Sequence, residues 1–225
     1  MSRMILSVAV AAAVFVPVVQ AADTTGYSLS ADRRITHALH VSQVHEQFAQ
    51  AHPAGVNPVY SNIGYAYPKG RYISNFAWTI SGPTSLIGQT IWLGAQFTPK
   101  HSTNIVEIDA ALGYVTGTMG MAVNVYTDLG GVPGTLLASY KARKLPIFGT
   151  CCDLVRLFNA PGVPVSGGTP YWITVETNAA TADEWGVWNM NDTNQVAPGT
   201  NAVNDGTGWA TTQLLPAPSL AVFGD

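Results

Sequence analysis

The chain has 225 residues, of which 47% are hydrophobic and only 10% charged, and its 10 Lys and Arg against 13 Asp and Glu give a formal net charge of −3. This balance excludes nucleic acid as a partner, because phosphate backbones require a basic face. Low charge together with 22 glycines, six tryptophans and nine tyrosines is typical of β-rich extracellular proteins, whose turns and pleated surfaces use these residues.

The first 21 residues predict an export signal. Arg3 supplies positive charge, an apolar run extends from Met4 to Val19, and residues 19–21 offer the small side chains needed for cleavage. The alternative is a retained membrane anchor, because the run approaches the roughly 20 residues of a spanning helix. Pro17 and the Ala-rich end favour cleavage. We therefore expect a secreted or periplasmic protein with no membrane partner once the signal is removed.

Residues 22–55 are predicted to form an N-terminal arm that is partly helical. Between Ala31 and Ala51 apolar residues recur at three-, four- and five-residue steps, after a helix-capping residue type at Ser30. The arm also holds four histidines, two of them at a spacing used by metal sites on helices: His37, His40, His45 and His52. No carboxylate or cysteine completes a set, so the pattern favours a polar helix surface over a zinc site.

Residues 56–225 predict one all-β domain, an antiparallel β-sandwich of jelly-roll style. Short apolar runs alternate there with Gly, Pro and Asn at sandwich spacing. The predicted strands are Tyr72 to Ile80, Trp92 to Thr98, Ile105 to Val115, Met121 to Thr127, Leu136 to Lys144, Leu154 to Phe158, Tyr171 to Thr177, Glu184 to Asn189 and Leu220 to Phe223. The segment Gly186 to Gly208 is crowded with Asn, Asp, Thr and Gly, which predicts a long surface loop with a short strand around Trp209.

Several motifs of this domain resemble a known group of proteins. They are Tyr60–Asn62, Trp78–Gly82, Phe97–Pro99, Val125–Asp128 with Gly131–Gly134, Cys151–Cys152, Gly168–Trp172 and Trp185–Trp188. Together they are similar to uncharacterised bacterial secreted β-sandwich proteins in the style of the choice-of-anchor modules. The resemblance covers roughly residues 58 to 224 and implies a sandwich fold without catalytic residues. This chain ends without the sorting tail of the anchored modules, so the resemblance does not extend to covalent surface attachment.

The two cysteines, Cys151 and Cys152, are adjacent. Export favours oxidation, yet a trans peptide holds neighbouring Cα atoms about 3.8 Å apart, below the ~4.4 Å lower end for ordinary bridges. A vicinal disulfide would therefore need a twisted or cis peptide. Its functional interpretation is a rigid ring-like turn on a binding surface or a redox-responsive element, and the alternatives are a strained structural turn that closes the loop at Gly149–Thr150 or two buried thiols.

Two clusters of side chains indicate possible ligands. Asn189, Asn191 and Asp192 are candidate calcium ligands, with simple turn chemistry as the competing explanation and no other cofactor expected. Trp185, Trp188 and Trp209 lie in or beside the same polar region. There they are candidates for stacking on a sugar, against the alternative that they fill the core.

Few residue patterns in the sequence point to a catalytic site. The strand Ile105 to Val115 predicts one apolar face and one solvated face that carries Glu107 and Asp109. These two, with Glu176, are the candidate carboxylates of a secreted glycan hydrolase, and no Gly-x-Ser-x-Gly elbow is present. The sequence therefore predicts a non-catalytic extracellular or cell-envelope module whose partner is a polysaccharide or a cell-surface component. The alternatives are the hydrolase and a self-assembling surface or matrix protein.

Overall fold

The computed structural model describes residues 38–40, 45–46, 56–63, 72–151, 154–191, 200–214 and 216–225. These residues form sixteen strands and one 3-10 helix at Ala179–Thr181. The strands are β1 Ala38–His40, β2 His45–Glu46, β3 Asn57–Ser61, β4 Tyr72–Ser81, β5 Trp92–Phe97, β6 Thr103–Ala110, β7 Leu112–Thr116, β8 Ala122–Asp128, β9 Pro133–Lys141, β10 Thr150–Cys151, β11 Val155–Val165, β12 Tyr171–Glu176, β13 Trp185–Asn191, β14 Asn201–Asn204, β15 Trp209–Thr212 and β16 Leu220–Gly224. Within these ranges no helix is long and apolar enough to cross a bilayer.

The strands form three larger antiparallel sheets and one small parallel pair. A six-stranded sheet has the order β15-β14-β5-β12-β8-β9, and two four-stranded sheets have the orders β1-β4-β13-β7 and β11-β6-β16-β3. β2 and β10 pair in parallel. The two four-stranded sheets adjoin each other: β6 continues into β7 with only Ala111 between them, and Met190 of β13 forms a bridge with Pro218, just before β16. We call the two sheets together one layer. The predicted all-β antiparallel sandwich is confirmed.

The core lies between this layer and the six-stranded sheet. One cluster of buried apolar side chains draws on all three sheets; its members include Leu93, Phe97, Val125, Ile173, Ile80, Ile108, Leu112, Trp188 and Val222. Removing such surface from water stabilises the fold by about 25 cal/mol for each Å² buried. Strand alternation then sends every second side chain to the opposite face of its sheet.

The helix predicted between Ala31 and Ala51 is wrong at both places that the structure describes. Ala38–His40 pairs antiparallel with β4, and His45–Glu46 pairs in parallel with Thr150–Cys151. A free sheet edge satisfies backbone groups as well as a helix does, so local periodicity did not decide the conformation. The signal peptide and the rest of the arm, including His37 and His52, lie outside the described residues.

Two predictions in the sandwich need correction. The strand predicted at Ile105 to Val115 is two strands that belong to different sheets, and its acidic face is buried: Glu107 and Asp109 have 1% and 0% exposure. The predicted loop Gly186 to Gly208 instead contains most of β13 and all of β14, both buried. The short strand predicted around Trp209 is confirmed as β15.

Asn189 shows why the loop prediction failed. The pairing of β13 with β4 shifts register between Asn189 and Met190. The side-chain amide of Asn189 donates to the carbonyls of Ile73 (3.0 Å) and Phe76 (3.4 Å). In the sequence, Asn189 resembles a turn-forming residue. In the structure, its side chain donates to backbone carbonyls where the strand pairing is irregular.

Glu184 is a fully buried carboxyl at the base of the turn that precedes β8. Both of its oxygens accept from Gly120 N–H at 3.1 Å. Burial raises the pKa of Glu184 to about 7; the hydrogen bond from Gly120 opposes this shift, and the charge of Asp183 adds to it. Between pH 4.5 and 7 the folded state therefore binds more protons at this site than the unfolded state does.

We expect this site to make the protein less stable as pH rises through that window, by about 3 kcal/mol in total. Glu184→Gln keeps an oxygen for Gly120 N–H and cannot ionise. Urea denaturation at a series of pH values should show the variant matching the native protein near pH 4.5 and exceeding its free energy of unfolding by about that amount at pH 8. A constant difference across the series would contradict the raised pKa.

Candidate functional site

The candidate site is the outer face of the six-stranded sheet, the face turned away from the core. On β5 the core takes Leu93, Ala95 and Phe97, and on β12 it takes Tyr171, Ile173 and Val175. The alternating side chains define what we call the outer face: Trp92, Gly94, Gln96, Asn124, Tyr126, Asp128, Trp172, Thr174, Glu176, Asn204 and Trp209. Aromatic rings and oxygen-bearing side chains share this surface.

Trp172 anchors one end of the outer face. It has 0% exposure although it points away from the core. Its Nε1 donates to Oδ1 of Asp128 at 2.7 Å, and Gln96 Nε2 donates to the same oxygen at 2.9 Å. Gly131 N–H donates to the other oxygen at 3.1 Å. Burial of Asp128 disfavours its charge, but these three hydrogen bonds outweigh burial and hold its pKa below the usual value, so the carboxyl is ionised at neutral pH.

Gly94 makes room for this tryptophan. A Cβ at this position would lie 3.2 Å from Cε3 of Trp172 and 3.4 Å from Cγ2 of Thr174. The ring of Trp172 therefore packs against the bare backbone of β5. Such close approach is a recurrent reason for glycine inside a strand.

Tyr126, Asn124 and Glu176 form a polar cluster beside Trp172. Burial raises the pKa of Tyr126 to about 12, and the nearby charge of Glu176, together with their hydrogen bond, adds to this. The tyrosine therefore stays protonated and donates to the carboxylate, to which Thr174 Oγ1 also donates. Asn124 also hydrogen-bonds to Tyr126, while its Oδ1 is buried with no hydrogen-bond partner. Buried acceptors are rarely left unpaired.

Two half-buried tryptophans lie at the other end of the outer face. Asn204 on β14 stands opposite Trp92 on one side and Trp209 on the other. Trp92 Nε1 donates to Thr177 Oγ1 at 3.0 Å, which fixes one edge of its ring. Asn204 Oδ1 accepts from Gly206 N–H at 2.9 Å. Both tryptophans keep part of their rings accessible.

The structure does not bring the three sequence-predicted tryptophans together. Trp188 is a core residue with 0% exposure, and its Nε1 donates to the carbonyl of Ser219 at 2.8 Å. It cannot stack on a sugar, so its assignment as a ligand residue is corrected. Trp185 is half-buried on β13 of a four-stranded sheet, whereas Trp209 is on β15 of the six-stranded sheet. Of the three, only Trp209 belongs to the outer face.

The candidate hydrolase carboxylates lie on opposite layers of the sandwich. Glu107 and Asp109 share Arg156, whose Nε lies 3.5 Å from the first carboxylate and 3.3 Å from the second. They project from β6 on the side away from the shared core, where Phe223 packs in a separate cluster. Glu176 is on the outer face of the other layer. One substrate cannot bridge them, so the geometry does not support two-carboxylate hydrolysis.

A cleft of about 340 Å³ near the end of β16 contains the one histidine of the sandwich sequence. It is lined by Asn57, Pro58, Val59, Lys100, His101, Ser102, Thr103, Gly224 and Asp225. Ser102 Oγ accepts from Gly167 N–H at 3.0 Å. Among the described residues, no hydrogen bond joins His101 to Ser102 or Asp225, and Ser102 Oγ and Asp225 Oδ1 instead accept from backbone N–H groups.

The calcium and cysteine hypotheses fall partly outside the described residues. Asn189 and Asn191 lie buried on β13 rather than on a surface loop, and Asp192 is not described. In the described part of the chain, no group of three His, Cys, Asp or Glu side chains is placed to hold a metal ion. Cys151 ends β10 and Cys152 is not described, so the vicinal disulfide stays a prediction.

Sequence reasoning missed most of the outer face. It assigned Trp92 and Trp172 to strands without a role in binding, and gave Asn124, Tyr126 and Gln96 no role. The signal was present in β5, since Leu93, Ala95 and Phe97 share one face and put Trp92 on the other. Comparison with protein-family models, with curated proteins and with solved structures finds no match to this chain.

Proposed function

We propose that this protein is a secreted or periplasmic glycan-binding module that performs no catalysis, and that the outer face of its six-stranded sheet holds the ligand. The observation that carries the proposal is the composition of this face, where half-buried Trp92, Tyr126 and Trp209 share one sheet surface with the oxygens of Asn124 and Glu176. Flat rings offer stacking surfaces for sugars, and convergent polar groups fix their orientation.

The rigidity of this face supports the proposal. Asp128, Trp172 and Gln96 are joined by hydrogen bonds, and Thr174 and Tyr126 both bond to Glu176. The hydrogen bonds therefore hold the residues between the aromatic rings in place before a ligand binds. Little conformational entropy is lost on binding, and this preorganisation raises affinity. A two-carboxylate hydrolase finds no such support, because its candidate residues lie on opposite layers.

Pull-down with insoluble polysaccharides, followed by a glycan array, tests the proposal. Trp92→Ala and Tyr126→Ala should each weaken binding at least tenfold, about 1.4 kcal/mol, since a central aromatic anchor carries a large share of binding energy. Trp185→Ala is the matched control, a half-buried tryptophan on the other layer, and should bind as the native protein does. Melting temperatures exclude unfolding as the cause. Native protein that binds no glycan would refute the proposal, as would equal losses in all three variants.

The self-assembling surface protein is the second candidate, and one observation favours it. β9 ends the six-stranded sheet in the strand order, and three leucines near it are exposed: Leu129 (69%), Leu136 (50%) and Leu137 (40%). Exposed apolar edges favour pairing with another chain. Concentration-dependent light scattering that disappears in Leu136→Lys would favour this candidate over glycan binding.

A further inference from the structure

Four hydrogen-bond donors of the outer face around Asp128 and Glu176 are already engaged within the protein. Trp92 Nε1 donates to Thr177, and Trp172 Nε1 and Gln96 Nε2 donate to Asp128. The Tyr126 hydroxyl donates to Glu176. A ligand that brings only acceptors therefore finds few donors beside Asp128 and Glu176.

The acceptors are not all engaged. Asn124 is 5% exposed, points to the outer face beside Tyr126, and its Oδ1 has no hydrogen-bond partner. Glu176 accepts from Thr174 and Tyr126, but a carboxylate offers about four acceptor positions. Glu176 keeps 8% exposure, which leaves its edge open to a donor from the ligand.

The charges of the outer face also favour a ligand that brings donors. Asp128 and Glu176 on this face are both acidic. The pairing of β8 with β9 places the basic residue Lys141 on the same side of the sheet. Lys141 stands opposite Ala122, which stands opposite Glu176, so two strand spacings, about 10 Å, separate it from the carboxylate. It is exposed to solvent, where its charge is screened. The outer face therefore has a net negative charge.

We propose that the outer face selects glycans that bring donors and positive charge, amino sugars above all, and rejects uronic acids. This inference rests on the proposed function and deepens it. A protonated amine supplies three donors and an opposite charge to Glu176 and Asn124, and charge-assisted hydrogen bonds are the stronger kind. A uronate supplies a like charge and no donor at that position, so it leaves the acceptors unpaired.

Three β-1,4-linked hexasaccharides with one backbone test the proposal by calorimetry: oligomers of glucose, glucosamine and glucuronate. At a pH where the amine is protonated, we expect the glucosamine oligomer to bind about tenfold more tightly than the glucose oligomer, and the glucuronate oligomer to show no binding. The preference should shrink as salt is added. Glu176→Gln keeps an oxygen for Thr174 and Tyr126, and should remove the preference, so that the glucosamine and glucose oligomers bind this variant equally. Lys141→Ala is the control and should keep the preference.

The outcomes separate this inference from the proposed function. Equal binding of all three oligomers, a preference that salt does not change, or a Glu176→Gln variant that keeps its preference would each overturn the inference and leave glycan binding standing. Failure of every oligomer and polysaccharide to bind would overturn both. The salt series uses only native protein, so it decides the question even if Glu176→Gln does not fold.

Discussion

Gly117→Ala is expected to destabilise the protein by more than about 3 kcal/mol. Gly117 has a φ of +91°, a region that costs a residue with a side chain about 1–2 kcal/mol. In addition, its new Cβ would lie 2.1 Å from the carbonyl oxygen of Asp183 and 2.8 Å from the Cα of Glu184. Relief of this contact must move the backbone that carries both acids, whose side chains accept from Thr118 N–H and Gly120 N–H. The clash thus adds to the conformational cost.

Gly130 provides the matched control for this prediction. Its φ is +63°, and a Cβ there would meet nothing within 4 Å. Gly130→Ala should therefore cost only the conformational term, about 1 kcal/mol. Urea denaturation of both variants measures the difference. If the two substitutions cost the same, the close approach of Gly117 to Asp183 does not matter for stability.

Trp188→Ala is expected to cost about 3–5 kcal/mol, the range for deleting a large aromatic side chain from a core. Trp188 is completely buried, packs in the shared core, and loses its hydrogen bond to the Ser219 carbonyl when truncated. The half-buried Trp209 on β15 is the comparison: its replacement by Ala should cost less than half as much. Denaturation gives both free energies of unfolding.

Glycan binding gives the reverse order for these two tryptophans. Measured where both variants are folded, Trp209→Ala should weaken binding and Trp188→Ala should leave it unchanged. A Trp188→Ala variant with native stability and no binding would contradict the core assignment, and would restore this residue as a ligand contact.

Most strands were predictable because their signal is local. The observed ends are within about two residues of the predicted ends for β4, β5, β8, β12 and β16. Apolar and polar residues alternate along a half-buried strand, so a short stretch of sequence is enough to predict it. β14 was missed because it is only four residues long and begins and ends with Asn, a turn-forming type. It is flanked by β15, its hairpin partner, and by β5, which lies far earlier in the chain and which no local pattern around β14 could indicate.

The candidate site was predictable only in part, and for a similar reason. The sequence indicated that aromatic and amide side chains would share a surface, but it grouped those that are close in the chain. Trp92, Tyr126 and Glu176 lie on β5, β8 and β12, which become neighbours only when the sheet forms. Glu107 and Asp109 looked solvated because acids usually are; Arg156, 47 residues beyond Asp109, accounts for their burial.

By itself the sequence determined the all-β class, the alternation within each strand and the slightly negative net charge, because these depend on composition and on neighbours two residues apart. The tertiary structure decided which strands lie side by side, which outward faces become buried, and which tryptophans keep an accessible ring. Strands that are distant in the chain pair through backbone hydrogen bonds, and these bonds are alike for most residue types. The sequence of a single strand therefore contains little information about which strand becomes its neighbour.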